Sequence, residues 1–376
     1  MSKTVLHIVE APGGVERYLV TLLTKLQKYT EYEHILVCSS SVDVKKFESI
    51  TKKVIVISSM HNAINFVNDT KSVAKIRKII KEYKPDIVYC HSSKAGAIGR
   101  MANLGLDNKL LYNPHGWSFN MREVSKAKLV IYEIIEKFLA PMADKIICIS
   151  EFEKASALRH KICNSDKLVI INNGIDFDEY KTICIKHRSE LGIPEDAFVV
   201  GAIGRLTPQK APDIFVKMAS ILKEKIPSSF FLMVGDDIGN GNFRKKTEDL
   251  ICQYNLKDSF YITGWVNDSL SYLQCFDVAA LLSRWEGFGL VLPEYMLMGK
   301  PIVATKADAI PYVVGDAGLL VEIDDFQQAA ESIVRINNDP QLRMQLIENG
   351  NKRISMFDAQ RTADEHKILI DILFNK

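Results

Sequence analysis

The sequence predicts an α/β protein built from two Rossmann-like domains. Three observations carry this reading. Short, almost wholly apolar runs alternate with amphipathic helical runs. The alternation stops in a polar stretch at 172–196 and then restarts. The chain, at 376 residues, is long enough for two cores of ordinary size.

In the first half, 4–9 reads as a strand and 15–28 as a helix, followed by strands at 34–38 and 54–57. Helix 71–83, strand 86–90, helix 94–103 and strand 110–112 come next. A long helix at 122–139 leads to strands at 145–149 and 168–171. The strands carry few polar residues, as expected where helices cover both faces of a parallel sheet. Asn173-Gly174 and Gly192-Ile193-Pro194 mark the polar boundary. The second half then runs strand 198–203, helix 213–225, strand 229–234, helix 243–254, and strands 260–262 and 278–282. Helix 290–298, strands 301–304 and 318–321, and helices 326–337, 341–349 and 358–374 complete it. The expected domains are 1–178 and 196–355, with 356–376 as a terminal helical segment. Ligands of such sheets bind beyond the carboxyl ends of the strands, and two facing domains would hold one in the cleft between them.

Composition excludes several classes. There are 48 Lys+Arg against 46 Asp+Glu, too balanced for a dedicated nucleic-acid binder. The seven cysteines (38, 90, 148, 163, 184, 252 and 275) include no Cys-x-x-Cys pair, which argues against a disulfide scaffold or structural zinc. The run 4–9 is too short for a signal peptide, and 129–149 carries Glu133, Glu136, Lys137, Asp144 and Lys145, which excludes a membrane span there. A cytoplasmic location is expected. Residues 1–178 balance to +7 and the remainder to −5. Either the first half meets an anionic surface, or its Lys-rich helices are merely solvated.

Four segments can carry chemistry. Ser283 to Glu294 follows a strand and opens a helix. Gly287 and Gly289 allow close backbone approach, the helix start offers N–H groups, and Glu286 and Glu294 can accept from hydroxyls. The same carboxylates would also favour the positive end of a helix dipole. Gly204-Arg205-Leu206 with Lys210 places two cations in the loop after the first strand of the second domain. They suit a diphosphate, or are solvated surface charges. Gly13-Gly14 can expose N–H groups to an anion, but lacks the full Gly-x-Gly-x-x-Gly fingerprint. His115, in Asn113-Pro114-His115-Gly116-Trp117, stands at a strand end where it can donate to a hydroxyl.

In this order the segments resemble the family-4 retaining glycosyltransferases of the GT-B fold. The resemblance rests on Glu286-x7-Glu294 with its Gly287-Phe288-Gly289-Leu290 core, on Gly204-Arg205-Leu206 with Lys210, and on Asn173-Gly174-Ile175-Asp176. It extends to Thr263-Gly264-Trp265-Val266, Asp308-Ala309-Ile310-Pro311 and Gly315 to Leu320. The segment around His115 is most similar to enzymes that build bacterial surface polysaccharides. Two departures stand out: Ala211-Pro212 and Lys306-Ala307-Asp308-Ala309 lack a glycine the family often carries.

The resemblance implies a role for each position. Glu294 would bind the ribose hydroxyls of a nucleotide-sugar donor. Glu286 and the Phe288, Gly289 and Leu290 amides would contact the sugar. Arg205 and Lys210 would hold the diphosphate and stabilise it as it leaves. Gly13 and Gly14 would approach the phosphates, Val266 the base, and His115 the transferred sugar or the acceptor. The last helix would cross back onto the first domain. UDP sugars are the default donor, with GDP-mannose as the other candidate. The acceptor would be a glycan or a lipid-linked saccharide.

Charge collecting on the leaving phosphate can be stabilised by Arg205, Lys210 and helix N-termini. No Asp-x-Asp is placed to hold a metal, and Asp236-Asp237 lacks the spacer, so no metal is expected to be required. Retention would follow from front-face attack, although Glu286 is an obvious carboxylate for double displacement. Arg122, Lys126 and Lys128, with Phe119 and Met121, form a basic and apolar patch suited to the inner membrane face, or an ordinary solvated helix start. A nucleotide-sugar epimerase and a noncatalytic two-lobed binder are the competing readings. The Glu286–Glu294 segment argues against the first, and the full set of charged residues against the second.

Overall fold

The computed structural model describes residues 3–375 except 62, 123, 238–241 and 267. Met1 and Ser2, and Glu123 within the expected 122–139 helix, lie outside the described residues. The chain divides into two compact units, Met1–Ile175 with Phe357–Lys376, and Asp176–Met356.

The first unit holds β1 (Lys3–Val9), β2 (Tyr32–Cys38), β3 (Lys53–Val56), β4 (Ile87–His91), β5 (Lys109–Asn113), β6 (Lys145–Cys148) and β7 (Leu168–Ile170). They form a parallel sheet in the order β3-β2-β1-β4-β5-β6-β7. Its helices are α1 (Gly14–Leu26), α2 (Phe66–Tyr83), α3 (Ser93–Asn103), α4 (Lys126–Leu139) and α5 (Glu151–Arg159). Alternation along the strands divides the core. Leu6, Ile8, Val88 and Cys90 pack with Ile76, Ile80 and Ile98 of α2 and α3, whereas Val5, Val9, Ile87 and Tyr89 pack with Leu19, Leu22 and Leu23 of α1.

Between α3 and α4, the buried Arg100 guanidinium donates to Glu136 at 2.8 Å and lies over the Tyr112 ring, whose hydroxyl also donates to Glu136 at 2.7 Å. A buried charge is tolerated because it is paired and hydrogen-bonded in this way.

The second unit holds β8 (Phe198–Ile203), β9 (Ser229–Val234), β10 (Phe260–Ile262), β11 (Val278–Leu281), β12 (Ile302–Thr305) and β13 (Gly318–Val321). This parallel sheet has the order β10-β9-β8-β11-β12-β13. Its helices are α6 (Pro212–Lys225), α7 (Phe243–Gln253), α8 (Val291–Leu297), α9 (Ile310–Val314), α10 (Phe326–Asn338) and α11 (Pro340–Arg353). The segment from Asp176 onward belongs to this unit. Arg188 donates to Asp277 at 2.7 Å and to the Cys275 carbonyl at 2.9 Å, and the Lys186 amide donates to the Ser271 carbonyl.

The final helix, α12 (Ala359–Phe374), returns to the first unit and packs on α1. Tyr29 donates to Asp364 at 2.7 Å, and Lys3 pairs with Asp371 at 3.0 Å. Gly174 permits this return, because a Cβ there would lie 2.6 Å from the Ala359 backbone.

Two helices escape the sequence reading. The α5 segment has no apolar stripe, and buries Glu153, Ser156 and Ala157 instead. The α9 segment spans only five residues. The expected 122–139 helix begins at Lys126, after a short 3-10 turn at Ser118–Asn120. Phe119, expected in a surface patch, is buried and stacks on Trp117 with ring centres 5.2 Å apart.

Candidate functional site

In each sheet the strand order reverses beside the first strand: β1 lies between β2 and β4, and β8 between β9 and β11. Such switch points open a crevice at the carboxyl ends of the strands. All the predicted site residues except Val266 lie in loops or helix starts after strands that flank these points, or one strand beyond.

In the second unit the loops after β8, β9, β10 and β11 are tied together. Gly235 sits so close to β8 that a Cβ would lie 2.1 Å from the Gly204 carbonyl oxygen. The Leu206 amide donates to the Asp236 carbonyl, and Gly235 bridges Gly264. Val266 follows on that last loop, half-buried. The Arg284 amide donates to the Gln209 carbonyl, and Gln209 Nε2 to the Trp285 carbonyl at 3.0 Å, which joins the β8 and β11 loops.

Lys210 and Glu286, assigned separately to phosphate and sugar, form a direct ion pair. Glu286 Oε1 also accepts from the Ser283 hydroxyl at 3.0 Å, and the Glu286 amide donates to Asp308 at 3.0 Å. Arg205 is exposed and makes no hydrogen bond or ion pair among the described residues. Together Gly204, Arg205 and Lys210 line a small cavity with Met233 and Leu282. Glu294 is fully buried in the first turn of α8, and Phe288 and Gly289 are buried within the preceding loop. Leu290 immediately precedes α8. Tyr295, next to Glu294, accepts the Ile203 amide through its hydroxyl at 2.9 Å, which fixes α8 against the end of β8.

The two positions lacking a family glycine both adopt left-handed backbone, with φ 50° at Ala211 and 47° at Asp308. The loop path that favours glycine is therefore kept at some cost in strain. Asp308 uses this conformation to reach the Glu286 amide.

In the first unit, Gly13 has φ 86°, and a Cβ at either Gly13 or Gly14 would meet no described atom within 4 Å. His115 follows β5 with φ 51°, and its amide donates to the Asn113 side chain at 3.0 Å. The Tyr18 ring of α1 meets His115 edge-on, with ring centres 4.6 Å apart. Behind His115 lies a row of histidines not singled out from the sequence. His115 Nε2 is 3.3 Å from His91 Nδ1, His91 Nε2 is 3.1 Å from His7 Nδ1, and His7 Nε2 is 3.0 Å from His34 Nδ1. His366 of α12 donates from Nδ1 to the Thr362 carbonyl, and its Nε2 lies 3.0 Å from both the Tyr18 and Tyr89 hydroxyls. Burial drives all five imidazoles toward the neutral form: His34 and His366 to about 4, His115 to about 3, and His7 and His91 well below the usual range.

Glu153 braces the same loop. Its Oε2 accepts the Ile149 amide at 2.8 Å, and its carbonyl accepts from Trp117 Nε1 at 3.0 Å. Burial pushes its carboxyl up to about 8. Because the folded value lies above the ordinary one, folding takes up a proton between the two, and stability falls as pH rises through that window. Glu153→Gln should therefore melt roughly 3 °C above the parent at pH 8.5, with the difference vanishing near pH 4.5. Thermal melts across that range check this.

Among the described residues, no group of three or more His, Cys, Asp or Glu side chains is placed to hold a metal. Asp237 accepts the Phe243 amide, and Asp236 accepts the Asp237 amide and faces Arg244.

Two family models match the chain: Glycosyltransferase Family 4 over residues 12–179, and Glycosyl transferases group 1 over residues 185–353. The UDP-Gal:alpha-D-GlcNAc-diphosphoundecaprenol alpha-1,3-galactosyltransferase of Escherichia coli is 29% identical over 92% of this chain and 91% of its own length. The capsular polysaccharide biosynthesis glycosyltransferase CapM of Staphylococcus aureus is 26% identical over 85% of each. Among solved structures, Anabaena Alr3699/HepE in complex with UDP and glucose superposes with a TM-score of 0.83, at 22% identity, over 98% of this chain and 99% of its own.

Proposed function

Since the chain belongs to the family-4 glycosyltransferases of the GT-B fold, we propose that it is a retaining, metal-independent enzyme of bacterial polysaccharide biosynthesis. It moves a hexose or N-acetylhexosamine from a UDP sugar to a glycan or lipid-linked saccharide. The observation that carries this reading is the Lys210–Glu286 pair beside the exposed Arg205 at the β8/β11 switch point. Two cations there meet a diphosphate, and the carboxylate meets sugar hydroxyls.

Arg205 forks onto the diphosphate, and Lys210 exchanges part of its contact with Glu286 for a phosphate oxygen. Both stabilise charge where it develops as the C1–O bond to phosphate breaks. Glu294 binds the ribose hydroxyls, the backbone near Val266 meets the base, and the Phe288, Gly289 and Leu290 backbone meets the sugar. In the first domain, the open Gly13-Gly14 turn suits a phosphate, and His115 contacts the transferred sugar or the acceptor. Held by Lys210 and Ser283, Glu286 is a poor nucleophile. Front-face attack is therefore favoured: the acceptor oxygen bonds to C1, and its proton passes to the departing phosphate oxygen. The test is NMR of the product formed with UDP-glucose or UDP-galactose in EDTA. An α-anomer supports the reading, whereas a β-anomer or a requirement for added metal sinks it.

No helix among the described residues is long and apolar enough to cross a membrane. We place a peripheral contact on α4, where Val130, Ile131, Ile134 and Phe138 are exposed on one face beyond Lys126 and Lys128. Ile134→Glu with Phe138→Glu should lower co-sedimentation with anionic vesicles by about fivefold, without a change in melting temperature. Unchanged co-sedimentation would remove this contact.

A further inference from the structure

The row of imidazoles behind His115 follows from strand parity. His34, His7 and His91 lie on β2, β1 and β4, and all point to the sheet face covered by α1 and α12. Their register climbs two residues per strand: His34 sits opposite Val5, and His91 opposite Val9. The diagonal ends at the carboxyl edge of the sheet, where His115 takes over. The titratable groups facing the row are Tyr18 from α1, Tyr32 from β2, Tyr89 from β4 and His366 from α12.

A neutral imidazole has one N–H and one lone pair. Each contact in the row joins an Nε2 to the Nδ1 of the next ring, so it needs a proton on one side only. The four rings must therefore share one tautomer. Either all carry the proton on Nδ1, and the bonds run from His34 toward His115, or all carry it on Nε2, and the bonds run the other way. The ends decide between them. His34 is 5% exposed, and its Nε2 is buried with no hydrogen-bond partner among the described residues. A proton there would be a buried donor without an acceptor, whereas a bare lone pair costs less. At the other end, His115 is only half-buried, and its Nδ1–H can reach a ligand or solvent.

We infer that His34, His7 and His91 are positioning residues that lock His115 as a neutral Nδ1–H donor, with its Nε2 occupied by His91. This rests on the transferase reading for what His115 touches, and deepens it. His115 then offers a hydrogen bond to a saccharide oxygen and does not serve as the base. The acceptor's proton goes to the departing phosphate oxygen.

The test uses the full chain labelled with 15N-histidine. Long-range 1H–15N spectra at pH 7.5, assigned through single His→Gln variants, report the tautomer of each ring. The expected result is a protonated Nδ1 and a bare Nε2 on residues 34, 7, 91 and 115. An Nε2–H tautomer or an imidazolium on any of the four overturns the inference. A second variant reverses the row: His34→Asp puts an acceptor beside His7 Nε2 and should flip His115 to Nε2–H. With that flip, kcat should fall about tenfold while the donor KM stays within twofold, and His34→Asn, which retains an N–H donor, should restore both. A flip without a change in kcat leaves the tautomer lock standing and overturns its role in transfer. If the Asp variant does not fold, the parent spectrum decides alone. Because the spectra require no turnover, failure of the transferase reading is seen separately, as absence of product from the parent enzyme.

Discussion

Arg205→Ala should reduce kcat by about 10²–10³-fold, the usual cost of losing one preorganised donor aimed at developing charge. The same variant should leave the melting temperature within about 1 °C, because an exposed side chain with no bonds among the described residues contributes little to folding. This separation makes Arg205 a cleaner probe than Lys210, whose removal would strand the buried carboxylate of Glu286. Arg205→Lys should recover only part of the rate, since an ammonium lacks the planar fork that spans two phosphate oxygens. Steady-state kinetics with a UDP sugar at saturating acceptor decide it. A kcat for Arg205→Ala within threefold of the parent would mean that the leaving group is stabilised elsewhere.

Glu294→Ala should weaken UDP binding by about 100-fold, the equivalent of two charge-assisted hydrogen bonds at about 1.5 kcal/mol each. Glu294 is fully buried, so its loss also removes packing from the first turn of α8. Calorimetric titration with UDP therefore has to accompany a melt. A lowered melting temperature with an unchanged Kd would reduce Glu294 to a structural residue. Glu294→Gln, which keeps the shape and one acceptor, should fall between parent and alanine.

Much of this organisation was legible in the sequence. Strands such as 198–203 and 229–234 could be read because they are apolar on both faces, and the β8 and β11 loops could be found because Arg205, Lys210, Glu286 and Glu294 follow strand-like runs. The direct Lys210–Glu286 pair could not, since 76 residues separate the two and only the sheet order places β11 beside β8. Helix α5 escaped because it buries polar and small side chains without a stripe. Phe119 was misplaced because a single aromatic beside charges carries no periodicity, and only its stacking on Trp117 accounts for its burial. The histidine row left a signal that parity could have revealed. His7 and His91 occupy the same face as Val5, Val9, Ile87 and Tyr89, so each was a buried polar group in need of a partner. That the partners are other histidines depends on register, which the sequence does not disclose.

On the proposed function, the second domain takes a uridine diphosphate donor at the β8/β11 switch point without a metal. Thermal melting with UDP, GDP and ADP in the presence of EDTA tests it most directly, because a ligand that binds only the native state raises the melting temperature by mass action. UDP should raise the melting temperature by several degrees, GDP and ADP should shift it less or not at all, and Glu294→Ala should lose the UDP shift. No shift with any nucleotide, or a shift that appears only when a divalent metal is restored, would contradict the proposed function.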